Sequence, residues 1–148
     1  MNKSKYDAIV FDLLTGLIDS WSLWNEIAGS ELKGRDWRSR YLQITYKTFE
    51  YKKYEDLVLL SAQQAGLKNT NAFKLIDEWE RLKPWPEVNM VLNKLKDKFA
   101  LGVATNCSIK KGNEAIELID VKFNSTVTAE EVGFYKPHPE MYNCILKK

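Results

Sequence analysis

Apolar and polar positions along this chain change period three times. Residues 8 to 11, Ala-Ile-Val-Phe, form an unbroken apolar, β-rich run, the pattern of a short strand buried on both faces, and Asp12 ends it. From Ser20 to Lys83 the spacing is helical, with no convincing strand. Trp21, Trp24, Ile27 and Ala28 share one face, and after Gly34 the positions Trp37, Tyr41, Ile44 and Thr48 repeat at helical intervals. A third amphipathic run spans about Glu55 to Ala65 and stops at Gly66, a C-terminal cap residue. A fourth carries Phe73, Ile76, Trp79 and Glu80, with N-cap candidates in Asn69-Thr70-Asn71.

Lys83-Pro84-Trp85-Pro86 then interrupts the helical pattern, and Pro86 suits the first turn of a new helix whose apolar face is Val88, Val91, Leu92 and Leu95. Residues 99 to 104 read as a strand that ends in the small polar run Thr105-Asn106-Cys107-Ser108. A helix from about Lys110 to Ile119 follows, then a short strand at 125 to 128, and a last helix carrying Met141, Tyr142, Ile145 and Leu146. This alternation predicts an α/β fold, a parallel sheet with a helical insertion after its first strand. The insertion holds four of the five tryptophans. Such a block serves either as a lid packed over something or simply as a small helical core.

Composition narrows the partners. The 148 residues, 45% hydrophobic, suffice for one compact domain or a small core with an inserted subdomain. Net charge is +2 with the signs mixed, which gives neither a nucleic-acid footprint nor a basic membrane-binding face. No apolar stretch approaches bilayer length and the start MNKSKYD lacks a signal-peptide core, so a cytoplasmic location is expected. Cys107 and Cys144 have no metal-type spacing and are expected as free thiols.

Three predicted strand ends converge on one sheet edge, where parallel sheets bind ligands. Asp12 offers a carboxylate nucleophile, Thr105 and Asn106 a hydroxyl and an amide, and Lys136, in a loop braced by Pro137 and Pro139, a cation. A carboxylate attacks an electrophile only where its charge is held ready and the developing anion is stabilised. Taken singly each residue has an ordinary explanation. Asp12 could cap the next helix, Thr105 and Asn106 could close a strand, and Lys136 could be solvated surface. His138, the only histidine, reads as a surface residue, and Cys107 as a small buried filler.

Together these residues resemble the haloacid dehalogenase (HAD) superfamily. Its first motif, Asp-x-Asp-Gly-Thr-Leu, is similar to Asp12-Leu13-Leu14-Thr15-Gly16-Leu17; its second, a strand-ending Ser or Thr, to Thr105; its third, a Lys before Pro-x-Pro, to Lys136. The resemblance implies a HAD-like Rossmannoid parallel sheet with an inserted helical cap. Residues 1–16 and 84–148 would form an incomplete core and 17–83 the cap. The nearest likeness is to the 2-haloacid dehalogenase branch. Phosphatases of the superfamily use the second Asp of the first motif as an acid, and Leu14 stands there; a departing halide needs no acid.

The dehalogenase likeness implies Asp12 as nucleophile through an aspartyl ester, with Lys136 and Thr105 as catalytic partners. It also implies Asn106, Arg38, Leu13, Leu14, Tyr142 and Trp37 as substrate-binding residues, with Arg38 on the halide side. Trp21, Trp24 and Tyr41 would also shape the pocket. The implied partner is a small anionic substrate, with no nucleic acid, membrane, metal or cofactor; self-association stays open. The alternatives are a small-molecule phosphatase, which would use Mg2+, and a truncated domain, inactive or completed by a partner. Two departures mark the chain. Thr15 precedes Gly16 where the family has Gly before Thr, so the motif's hydroxyl is displaced by one residue. No acidic fourth motif follows Lys136, so the sheet is expected to be C-terminally truncated, with the strand before Asp12 left as an edge.

Overall fold

In the computed structural model, which describes residues 5–148, the first residues to form regular structure are β1 (Ala8–Phe11). The remaining elements follow in the order β2 (Ile18–Asp19), α1 (Ser20–Ala28), α2 (Glu31–Thr48), α3 (Tyr54–Gln64) and α4 (Asn69–Asp77), then a 3-10 turn (Trp79–Arg81). The chain continues through β3 (Lys83–Pro84), α5 (Val88–Leu95), β4 (Ala100–Thr105), α6 (Ile109–Ile116), β5 (Ser125–Thr128), α7 (Ala129–Val132) and α8 (Pro139–Leu146). Residues 1 to 4 of the expected core segment 1–16 lie outside the described residues.

The sheet is parallel, in the order β1-β4-β5, with Phe11 opposite Val103 and Thr105 opposite Thr128. All three strands therefore point their carboxyl ends the same way. Strand β4 is central and buried from Leu101 to Thr105. Gly102 faces Ile145 of α8, while Gly112 of α6 approaches so closely that a β-carbon there would lie 2.7 Å from Thr128 and 3.4 Å from Thr105. Since side chains alternate along a strand, α8 and α6 cover opposite faces of the sheet.

Strand β1 departs from the expectation of burial on both faces. Ala8 and Val10 are exposed and Ile9 and Phe11 only half-buried. Among the described residues β1 pairs with β4 alone, so one side of it faces outward. Among the described residues β1 is thus an edge strand. The short β2–β3 ladder, which pairs Ile18 with Pro84 and Asp19 with Lys83, was not anticipated; it closes the base of the helical segment where the chain leaves and re-enters. Pro84 thereby pairs at a strand, and Pro86 precedes α5 instead of opening it.

Helices α1 to α4 pack on one another around Trp24, Trp37 and Tyr54, which are fully buried, and Tyr41, nearly so. Trp24 and Trp37 rings lie 4.5 Å apart, and Tyr41 bridges from Trp24 to Tyr54 at 5.6 Å each. Helices α1 and α2 cross at Gly34, where a β-carbon would fall 2.5 Å from Asn25 Cα. The buried face of α4 is Ala72 and Leu75, continued by Trp79, and Phe73 is exposed. Burial there follows the short, strongly amphipathic face against α1 and α3, one residue away from the face the spacing indicated. Asn71 supplies the start of α4, accepting from the Lys68 amide at 3.1 Å.

Candidate functional site

The turn after β1 is built by Thr15 and Gly16. Gly16 is obligatory, because a β-carbon would meet the Asp12 carbonyl oxygen at 2.4 Å. Thr15 takes a φ of +80°, which costs a side-chain-bearing residue about 1–2 kcal/mol. The turn is held by its amide bonding to the Ile18 carbonyl at 2.8 Å and by Trp85 Nε1 donating to its carbonyl oxygen at 2.8 Å. Asp12 caps no helix. Asp19 takes that part, accepting from the Ser22 amide at the start of α1.

Asp12, Lys136, Thr105 and Asn106 line one pocket of about 370 Å³ beyond the carboxyl ends of β1 and β4. Lys136 Nζ donates to Asp12 Oδ1 at 2.5 Å and to the Ala104 carbonyl oxygen at 2.7 Å. Asp12 is half-exposed, its side chain 49% accessible. The edge position of β1 leaves it open on one side.

Asn106 spends both ends of its amide on the Lys136 backbone. It accepts from the Lys136 amide at 2.7 Å and donates to the Lys136 carbonyl at 3.3 Å. Thr105 is buried and donates to Cys107 Sγ at 3.3 Å. Burial pushes the Cys107 thiol up to about 12, so it stays protonated at neutral pH. Both cysteines are free. His138 is half-buried, stacked on Phe134, and its Nδ1 accepts from the Glu140 amide.

The far wall comes from α1 and α2. Arg38 is only 4% exposed. Its Nη2 donates to Thr15 Oγ1 at 2.7 Å, and its guanidinium lies over Trp21 at 5.0 Å and Trp24 at 5.4 Å. Nε and Nη1 are buried with no hydrogen-bond partner. A guanidinium so desolvated gains most from an anion. Tyr41, whose hydroxyl burial holds well above its ordinary pKa, donates to the Asn106 carbonyl oxygen at 3.0 Å.

Seven of the nine expected residues, Asp12, Leu14, Arg38, Thr105, Asn106, Lys136 and Tyr142, line this pocket, and two do not. Leu13 is fully buried in the core. Trp37 lies about 100° around the helix from Arg38 and is sealed in the core, its Nε1 donating to Ser61 Oγ at 3.0 Å and the Val58 carbonyl at 3.2 Å. Leu42 and Tyr46 join the lining without having been anticipated. Their positions four and eight residues past Arg38 carried the signal, since that spacing repeats one helical face.

A magnesium ion, which a phosphatase reaction would use, is held by one or two carboxylates together with waters and substrate oxygens. Leu14 occupies the place of a second carboxylate. Among the described residues no three His, Cys, Asp or Glu side chains are grouped to hold a metal. Nor, among them, is any helix long and apolar enough to cross a membrane.

Residues 9–148 match the family model described as haloacid dehalogenase-like hydrolase. In sequence the chain is 25% identical over 155 residues to haloacetate dehalogenase H-2 of Moraxella sp. (strain B), covering 93% of this chain and 69% of that protein. In structure it is similar to an L-2-haloacid dehalogenase with a TM-score of 0.83 at 23% identity, over 97% of this chain and 73% of the other. It is also similar to the L-2-haloacid dehalogenase from Xanthobacter autotrophicus with chloropropionic acid covalently bound, with a TM-score of 0.80 at 16% identity, over 96% and 64% respectively. These structural likenesses bear on the fold, an α/β parallel sheet with its helices.

Proposed function

Because the chain belongs to the haloacid dehalogenase-like hydrolase family, we propose that it displaces halide from a short 2-haloacid, using Asp12 as the nucleophile. One observation carries this reading: a carboxylate paired to a lysine faces, across one small pocket, a buried arginine with two unpartnered nitrogens. An enzyme acting on an anionic substrate that expels a second anion needs that arrangement of charges.

In the first step an Asp12 carboxylate oxygen attacks the carbon bearing halogen. The new carbon–oxygen bond forms as the carbon–halogen bond breaks, and halide leaves with the electron pair. Lys136 holds Asp12 in place and offsets the substrate's negative charge, while Arg38 receives the charge that develops on the departing halide. Water then attacks the Asp12 carbonyl carbon of the ester, releasing the 2-hydroxyacid and a proton and restoring the carboxylate. No cofactor enters this scheme.

Leu14 weighs against the phosphatase alternative, since an alkoxide leaving group would find no acid there. A domain completed by a partner is favoured by a separate observation, the outward-facing side of β1, where Val10 is 38% exposed. Residues 1–16 and 84–148 as core and 17–83 as cap remain the domain division that best serves the scheme, with Arg38 contributed by the cap.

The test is halide release from a panel of short 2-haloacids, with Asp12→Asn expected to abolish it. A wild-type chain that releases none, yet hydrolyses phosphate monoesters with magnesium, would overturn the reading. Sedimentation of the 148-residue chain separates the partner-completed domain, which a stable, cooperatively folding monomer would rule out.

A further inference from the structure

In the turn after Asp12 the side-chain hydroxyl of Thr15 is engaged by Arg38. Gly16 has no room for a β-carbon, so Thr15 is the turn position that can carry a side chain. Thr15 Oγ1 accepts from Arg38 Nη2 at 2.7 Å and lies 3.1 Å from Ser20 Oγ. With the arginine donating to it, the Thr15 hydroxyl is free to donate onward to Ser20, which is fully buried at the start of α1.

The chain of contacts has a direction. Ser20 anchors Thr15, Thr15 engages one edge of the guanidinium, and Trp21 and Trp24 lie against it. The remaining buried nitrogens, Nε and Nη1, are left without partners. Thr15 does this from a backbone conformation that glycine adopts freely and threonine does not. Strain of this kind persists where surrounding structure enforces it, and it clusters at ligand sites.

We propose that Thr15 is a positioning residue: its hydroxyl fixes the Arg38 guanidinium at the wall of the pocket, where it meets an anion, and its left-handed backbone is retained for that purpose. The proposal rests on the dehalogenase reading only for the identity of the anion as a halide or carboxylate. Arg38 binds the anion; Thr15 acts through Arg38.

The experiment titrates the full chain with chloride and, separately, with propionate, both unreactive. Fluorescence of Trp21 and Trp24 beside the guanidinium reports binding. Thr15→Gly and Thr15→Val are expected to weaken anion affinity about tenfold and raise KM alike with kcat changed far less, as loss of a hydrogen bond to a charged group implies. Thr15→Ser, which keeps the hydroxyl, is expected to restore affinity, and Thr15→Gly to melt no lower than wild type.

Unchanged affinity in Thr15→Gly and Thr15→Val would overturn the proposal. So would a loss in Thr15→Ser equal to that in Thr15→Val, a lowered melting point in Thr15→Gly, or no saturable response in the wild type. If the wild type releases no halide from 2-haloacids while propionate affinity still follows the Thr15 hydroxyl, the dehalogenase reading fails and this proposal stands. Halide release with anion affinity indifferent to residue 15 gives the converse.

Discussion

Lys136 Nζ is shared between Asp12 Oδ1 at 2.5 Å and the Ala104 carbonyl oxygen at 2.7 Å, so the cation is fixed to β4 while it touches the carboxylate that follows β1. One ammonium group thus sets the position of the carboxylate relative to the central strand. Replacing it removes a charge and a distance restraint together. Lys136→Met is expected to lower kcat for halide release by on the order of a hundredfold or more, with the fold kept as judged by circular dichroism.

Asn106 acts on the same lysine from the backbone side. Asn106→Ala frees the Lys136 peptide without removing any charge. Steady-state kinetics should show kcat reduced by roughly ten- to a hundredfold through misplacement of Nζ, with a smaller change in KM.

Gly16 meets the Asp12 carbonyl oxygen too closely for any side chain. Gly16→Ala is expected to cost about 3 kcal/mol of stability by overpacking, read as a lower urea midpoint, and to lower activity because the peptide of Asp12 must shift.

Trp37 separates packing from binding. Trp37→Phe loses the one buried Nε1–H, shared between the Val58 carbonyl and Ser61 Oγ, and some volume, so stability should fall by about 2–3 kcal/mol. KM for a 2-haloacid, measured below the melting range, should stay within about twofold of wild type, the consequence of a side chain outside the pocket.

Cys107 and Tyr51 give a pH dependence of known sign. Burial raises the Cys107 thiol from 9.0 to about 12, and burial likewise raises the Tyr51 hydroxyl from 10.0 to about 12. Groups whose folded pKa is raised add stability that is complete below the unfolded value and lost as pH climbs through the folded one. Melting temperature should therefore fall between about pH 9 and pH 12, and less steeply in Cys107→Ala. The thiol's part is on the order of 4 kcal/mol at full ionisation. At pH 8 a thiol reagent should label Cys144, half-buried, well before Cys107.

The sequence made the fold legible where periodicity and punctuation agreed. The apolar run before Asp12, the β4 strand, the 125 to 128 strand and the double-proline break after the helices all stand near where they were expected. It was less informative where tertiary contacts choose between neighbouring faces. Adjacent residues of α2 part company, Trp37 entering the core and Arg38 the pocket, because the amphipathic face is wide enough to read either as the centre. The β2–β3 ladder is too short to leave a pattern. At the site, residue types announced Asp12, Thr105 and Lys136. That the Asn106 amide would be consumed by the Lys136 backbone, and that the displaced hydroxyl of Thr15 would find Arg38, depend on three-dimensional proximity that no local pattern encodes.

The stretch leaving α2 is sewn to the loop that leads to Lys136. Glu50 bridges Phe134, the Tyr51 amide bonds to Gly133, the Tyr135 amide to Phe49, the Tyr135 hydroxyl to Lys52, and the Tyr51 and Tyr135 rings stack at 5.4 Å. Arg38 and Lys136, the pocket's two cations, therefore belong to segments stitched together by backbone as well as by rings. Their spacing is decided when the chain folds and not when a ligand arrives, so a small anion meets a preorganised pair and forfeits little of its affinity to rearrangement.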